Sequence, residues 1–250
     1  MNFEPSISAT SLPEAYHEAL CLLHYCGEVV PCPDYNTTQK ELSMTFMVTE
    51  PLNEPMISRL SFCDPRSLEQ YRQEILYGIL DFEIERGNWA YTYHSRIEDQ
   101  IPFVVEELKR NPYTRRAVID VRDNDYDVCS ENPACLQHIQ YFIRGGKLHC
   151  KVLFRSNDAC KATFMNAFAL IMLQQMIAGE VGVEMGSYTH RANSFHCYER
   201  DFDLLEGYVN RIRKDNKNTT YCYEGDWKEL MEAEQTEIEA MVESLRGADA

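Results

Sequence analysis

Hydrophobic residues recur along this chain with two different periods, and the switches between them lay out its elements. Tyr16, Ala19, Leu20 and Leu23 share one face of a helix that Ser11-Leu12-Pro13-Glu14 opens and Gly27 ends, so a helix is predicted through about Tyr25. Leu42, Met44, Phe46 and Val48 alternate with polar neighbours instead, the period of a half-buried strand, which Pro51 and Pro55 stop. Between them, Val29 to Asn36 carries two prolines and reads as an irregular loop. After Asp64-Pro65-Arg66-Ser67 a second helix is expected from about Leu68 to Phe82, with Tyr71, Ile75, Tyr77, Ile79 and Leu80 apolar and Glu74 on or beside the buried face. A third helix, roughly Ile97 to Arg110, leads through a turn and the twin arginines 115 and 116 into a strand.

The second half is patterned more strongly. Gln137 to Ile143 and Leu148 to Phe154 flank Gly145-Gly146, a two-residue turn that permits positive backbone angles, and predict an antiparallel hairpin. Phe164 to Ala178, the most apolar helical stretch, is expected to be closed by Gly179 and buried beneath the functional region. Ser187 to Tyr198 reads as strand and loop, and Arg211 to Thr220 as a polar region. An acidic amphipathic helix from Trp227 to Leu245 follows, with Leu230, Met231, Ile238, Met241, Val242 and Leu245 as its stripe. On this reading residues 1–225 form the main domain, and residues 226–250 an acidic helix and tail.

Composition narrows the possibilities. A chain of 250 residues with 44% hydrophobic content can bury a sizeable core. Its formal net charge of -16 opposes non-specific nucleic-acid binding, so no DNA partner is expected, and an anionic ligand needs a local group of arginines. No apolar run approaches the length of a membrane span, and Met1 to Thr10 has no basic stretch followed by an apolar one, so the expectation is a cytoplasmic protein without a membrane partner. The ten cysteines contain no C-x-x-C pair; structural thiols are the default for nine, and no metal is expected.

Chemistry concentrates between Pro133 and Tyr198. Pro133-Ala134-Cys135 precedes the hairpin, Arg155-Ser156-Asn157-Asp158 ends it, Asn166 follows eight residues after Asp158, and His196-Cys197-Tyr198 closes the stretch. Together, over Asn111 to Phe202, these motifs resemble the thymidylate synthase superfamily, including its deoxycytidylate hydroxymethylase branch. The resemblance implies an α+β fold with a large twisted sheet and flanking helices, dimerising through that sheet. It also implies folate-dependent transfer of a one-carbon unit to carbon 5 of a pyrimidine nucleotide, with 5,10-methylenetetrahydrofolate as co-substrate. A thiolate added at ring carbon 6 makes carbon 5 enolate-like, which is why such chemistry needs a cysteine beside a cation that lowers its pKa.

Carried over residue by residue, the resemblance gives Cys135 as nucleophile, with Glu74 organising water and proton transfer and Tyr91 nearby. Arg155 and Ser156 match phosphate ligands, and Arg115 with Arg116 match the pair reaching the phosphate of the other subunit in a homodimer with shared sites. Asn166 matches the pyrimidine reader, His196 and Tyr198 the ribose-binding groups, and Asp158 a folate-side carboxylate. Lys40 is a candidate for a further phosphate cation. The pattern also departs from the family. Leu136 and Ala162 replace a polar residue and a glycine, the segment between Glu74 and Tyr91 is short, and the apolar tail that closes over folate is replaced by the acidic helix. Trp89 is the nearby tryptophan. Asn166 can accept from the uracil N–H and donate to the adjacent carbonyl, a pattern that cytosine inverts, so dUMP is the leading substrate and dTMP the product. The alternatives are a pyrimidine nucleotide hydroxymethylase, with water replacing hydride, and a catalytically silent nucleotide-binding paralogue.

Overall fold

The computed structural model describes residues 3–214 and 218–247. Residues 215–217, within the predicted polar region, and 248–250, at the end of the predicted tail, lie outside the described residues. In chain order the elements are β1 (Ser6–Ala9), α1 (Leu12–Cys26), β2 (Glu28–Cys32), β3 (Thr37–Val48), β4 (Ile57–Ser58), α2 (Pro65–Tyr77), α3 (Phe82–Glu85), α4 (Tyr93–Ile97) and α5 (Ile101–Arg110). There follow β5 (Val118–Asp120), α6 (Asn124–Asp127), the hairpin β6 (Leu136–Arg144) and β7 (Lys147–Phe154), β8 (Asn157–Asp158), α7 (Thr163–Val181) and β9 (Glu184–Tyr198). The chain ends with α8 (Phe202–Lys214), β10 (Thr220–Tyr221), α9 (Lys228–Ala233) and α10 (Gln235–Gly247).

An eight-stranded mixed sheet organises the fold, in the order β1-β3-β9-β7-β6-β5, with β2 beside β3 and β8 beside β9. Its hairpin turns on Gly145 and Gly146, at φ 59° and 77°, as the sequence demanded. Three register shifts, at Leu42/Met44, Leu136/His138 and Leu148/Cys150, disrupt the ladder locally, and irregularities of this kind sharpen the bend and twist of a sheet. One face carries Phe46, Val48, Ile139, Tyr141, Val152, Phe154, Tyr188 and His190, all buried. Across this face α7 packs, with α2 and α5 against it, while α1 lies on β3. The other face presents Thr45, Met47, Gln140, Phe142, Leu153, Thr189 and Arg191, half-buried in this chain.

Several expectations change, each for a local reason. Val29 to Asn36 is only partly a loop: Val29 to Cys32 belong to β2, which pairs with β3 and tolerates Pro31 because it lies outside the main strand order, while Pro33–Tyr35 form a tight turn that Asn36 ends at φ 49°. Helix α2 starts three residues early, in a capping box between Asp64 and Ser67, and stops at Tyr77 because Gly78 adopts φ 59°. The helix expected from Ile97 begins at Tyr93 and is divided, with a tight turn at Glu98–Gln100 before α5, whose first turn holds Pro102. Gly179 does not close the apolar helix: it is an exposed glycine inside α7, costing only about 1 kcal/mol there, and the helix runs on to Val181 and ends at Gly182, which adopts φ 81°.

At 19 residues α7 is also long and apolar enough to cross a membrane, contrary to the expectation that no run is, but here it is a core helix. Arg211 to Lys214 belong to α8, which the pattern did not announce. The acidic helix is broken at Glu234 into α9 and α10; Met231, Ile238 and Val242 are buried while Leu230 and Leu245 are exposed. Both pieces pack on α2, and Arg86 donates to the Leu245 and Arg246 carbonyls.

Gly78 offers a test of this packing. A Cβ there would collide with His94 Nδ1 and Asp81 Oδ2, which are themselves paired at 2.6 Å. Gly78→Ala is expected to lower stability by about 1–3 kcal/mol in urea unfolding, since positive φ and a collision combine. An unchanged urea midpoint would contradict this account of the α2 terminus.

Candidate active site

Three strand ends and the start of a helix converge on a cavity of about 1030 Å3. The loop before β6 places Cys135, the turn after β7 places Arg155 to Asp158, α7 presents Asn166 from its first turn, and β9 contributes His196 and Tyr198. This volume lies at the upper end of the range for small-molecule sites, enough for more than one ligand.

Cys135 is half-buried. Burial raises its thiol pKa, and the positive charge of Arg155 opposes that rise. Arg155 also fixes the loop: its Nε donates to the Ala134 carbonyl at 3.1 Å and its Nη2 to the Pro133 carbonyl at 2.8 Å. Below, the Arg155 amide donates to the Cys135 carbonyl at 2.9 Å. A guanidinium has five N–H donors in a planar fork, so these bonds leave it able to face an anion in the cavity.

His196 has a distinct signature. Its Nδ1 lies 3.2 Å from the Ser194 carbonyl, which can only accept, so Nδ1 carries the proton; Ser156 Oγ is 3.4 Å away. Burial lowers its pKa, favouring the neutral ring. Nε2 is therefore an acceptor, yet it is buried without a partner, a state that costs about 1–3 kcal/mol. A ligand hydroxyl donating to it removes that cost. Tyr198 packs edge-on against His196, with ring centroids 4.8 Å apart.

Asn166 is 7% exposed; its Nδ2 donates to Tyr71 Oη and its Oδ1 accepts from Asn157 Nδ2 at 2.9 Å. Asp158 accepts the Cys160 and Lys161 amides at 3.0 Å each, holding the turn that leads to α7. Glu74 and Tyr91 line a smaller neighbouring cavity of about 230 Å3 with Trp89, and Tyr71 and Tyr93 line both cavities. Burial raises the Glu74 pKa, against a hydrogen bond from Gln70 at 2.8 Å, so the carboxyl holds its proton to higher pH than an exposed glutamate.

Arg115 and Arg116 are exposed and are not among the residues lining this chain's own cavity. Lys40 is not there either: its Nζ donates to the His24 carbonyl at 3.1 Å, which corrects its candidacy as a cation of this cavity. Sequence reasoning missed Tyr71, Tyr93, Asn157 and the wall formed by Cys32, Asp34, Tyr35 and Gln39. Tyr93 Oη accepts from the Leu136 amide at 3.2 Å, beside the candidate nucleophile. A tyrosine two positions either side of an expected one carries no sequence signal that separates them. Asp81, His94 and Glu98 bring possible metal-ligand atoms within 4.8 Å of one another outside the main cavity, but His94 Nδ1 already faces Asp81 as a hydrogen-bond partner.

Comparison with known proteins decides the family. The family model for thymidylate synthase matches residues 71–241. A protein of Methanocaldococcus jannaschii described as "Putative thymidylate synthase" is 32% identical over 212 residues, covering 81% of this chain and 95% of that protein. The chain belongs to the thymidylate synthase family. A thymidylate synthase of Bacillus subtilis subsp. natto is 36% identical over 109 residues, covering 43% of this chain and 39% of that protein. In fold, thermostable thymidylate synthase A from Bacillus subtilis matches with a TM-score of 0.66 at 18% identity, over 80% of this chain and 84% of that one. Thymidylate synthase family members bind a nucleotide and use methylenetetrahydrofolate as co-substrate, and this chain is a one-carbon transferase.

The opposed effects on Cys135 can be read by alkylation. Iodoacetamide reacts with the thiolate, so modification of Cys135 should rise with pH, with a midpoint above that of an ordinary exposed thiol. Arg155→Gln removes the stabilising charge and should move the midpoint higher still, as peptide mass spectrometry would show. A midpoint unmoved by that substitution would contradict the role given to Arg155.

Proposed function

We propose that the enzyme makes dTMP from dUMP in the cytoplasm, with 5,10-methylenetetrahydrofolate supplying both carbon and hydride. The observation that carries this reading is the convergence on one cavity of a thiol, a guanidinium and an amide with the unpartnered Nε2 acceptor of His196. Arg155 and Ser156 hold the phosphate, His196 Nε2 accepts from a ribose hydroxyl beside Tyr198, and Asn166 reads the base edge.

Cys135 adds as thiolate to ring carbon 6, forming the C–S bond and placing the electron pair on carbon 5, which attacks the folate methylene carbon. Loss of the carbon 5 proton and departure of tetrahydrofolate leave an exocyclic methylene. Hydride from the departed folate then reduces the methylene as the thiolate leaves, giving methyl and dihydrofolate. Glu74, with its raised pKa in the adjoining cavity, is suited to hold and move protons through ordered water beside the ring. Asp158 faces the folate, and Tyr91 borders the same smaller cavity as Glu74. A second copy docks on the half-buried sheet face, bringing Arg115 and Arg116 to the partner's phosphate.

One observation supports the alternative of a pyrimidine nucleotide hydroxymethylase. Among the described residues the lining of the larger cavity ends at Tyr198, and α9 and α10 pack on α2 instead of appearing in that lining. A cavity without that cover admits water to the methylene. Incubation with dUMP and methylenetetrahydrofolate should produce dTMP and an equal amount of dihydrofolate, read by absorbance and by mass spectrometry. A hydroxymethyl nucleotide formed without dihydrofolate would replace this reading with the alternative.

A further inference from the structure

The amide of Asn166 does not stand alone; it is one member of a buried chain of hydrogen bonds that reaches into the sheet. Asn166 Oδ1 accepts from Asn157 Nδ2 at 2.9 Å, and Asn157 Oδ1 lies 2.8 Å from Thr163 Oγ1 and 2.9 Å from His190 Nε2. His190 Nδ1 in turn meets the Tyr188 hydroxyl at 2.9 Å. At the opposite end Asn166 Nδ2 meets Tyr71 Oη. Thr163 Oγ1 also has the Asp158 carbonyl within 2.9 Å.

These bonds constrain one another. An amide oxygen only accepts, so His190 must carry its proton on Nε2, and its Nδ1 then accepts from Tyr188. The imidazole cannot turn to escape, because it is fully buried and stacked between Phe46 at 4.6 Å and Phe154 at 4.7 Å, with interplanar angles of 6° and 12°. Burial lowers its pKa to about 3, so the ring stays neutral, with one donor and one acceptor. To turn Asn166 end for end, Asn157 must turn as well and the His190 proton must move to Nδ1. The chain reverses as a whole or not at all.

This concerted behaviour matters for choice of base. An asparagine amide carries acceptor and donor on nearly superimposable arms. Uracil offers N3–H beside an acceptor carbonyl, and cytosine offers an acceptor N3 beside an amino donor. A freely turning asparagine accommodates either base, whereas a fixed one accommodates one of them well. We propose that Asn157, braced by His190, is a specificity-determining positioning residue that fixes the Asn166 amide and so sets the preference for uracil over cytosine. The inference rests on the reading above that Asn166 faces the base.

The direct test is the ratio of kcat/KM for dUMP to that for dCMP in wild type, Asn157→Asp and Asn157→Ala. A carboxylate at position 157 only accepts, so Asn166 must offer it the NH2 arm and its oxygen turns to the Tyr71 hydroxyl, reversing the pattern shown to the base. Asn157→Asp should therefore lower the dUMP to dCMP ratio by at least about tenfold, in the direction of cytosine. Asn157→Ala, which unlocks the amide without adding a buried charge, should lower the ratio severalfold, and it decides the question if the aspartate variant fails to fold. A proportional loss in both kcat/KM values with the ratio unchanged, in a variant whose thermal melt is cooperative, would mark a merely structural role and overturn the proposal. Wild type that neither binds nor converts either nucleotide would overturn the reading of the site itself, a different failure from a wild type that uses dUMP while the variants keep its base ratio.

Discussion

Arg155 is tied to the loop that carries Cys135 by two side-chain bonds to carbonyls 133 and 134 and one backbone bond to carbonyl 135. Nucleophile and anion-binding group are thereby built as one unit, so neither is free to drift from the other. The same guanidinium offsets part of the rise that burial imposes on the thiol pKa. Bonds between a charged donor and backbone carbonyls contribute about 1.5–3 kcal/mol each when well formed. The hairpin makes the arrangement possible, because pairing Leu136 with Phe154 brings the residue before one strand beside the residue after the other.

The remainder of the cavity follows from how buried polar groups are satisfied. Asn166, Asn157, Thr163, His190 and Tyr188 satisfy one another in a continuous network, which is affordable in a core only when every member finds a partner. His196 Nε2 is the exception beside it, buried and unpartnered in a cavity wall. A saturated network that holds groups still and one unsatisfied acceptor that awaits a donor are the complementary properties of a binding site. The same contrast separates Glu74, whose burial favours the protonated acid, from Asp158, whose carboxylate accepts two backbone amides.

Much of this was legible in the sequence because the decisive stretch is short-range: Cys135 to Tyr198 is a hairpin, a helix and a strand, each with its own period or turn signal. What escaped depends on contacts distant along the chain. Nothing local distinguishes Tyr71 or Tyr93 from other apolar positions until α2 and α4 are brought beside α7 and β6. His190 sits in an alternating strand where a histidine reads as an ordinary polar residue, and only the cross-strand partner Phe46 shows it to be buried. The wall from Cys32 to Gln39 was obscured by prolines, which an outlying strand such as β2 accommodates. The acidic C-terminal segment had a clear amphipathic stripe, but periodicity could not say that its partner would be α2.

The account stands or falls on covalent attack by Cys135. The most direct measurement is the intact mass of the protein after incubation with 5-fluoro-dUMP and methylenetetrahydrofolate, followed by peptide mapping. The fluorine cannot leave as the carbon 5 proton does, so the account predicts a stable adduct containing protein, nucleotide and folate, attached at Cys135 and absent from Cys135→Ser. Failure of the wild-type protein to form such an adduct under conditions where it binds the nucleotide, or an adduct at Cys129 or Cys160 instead, would contradict it.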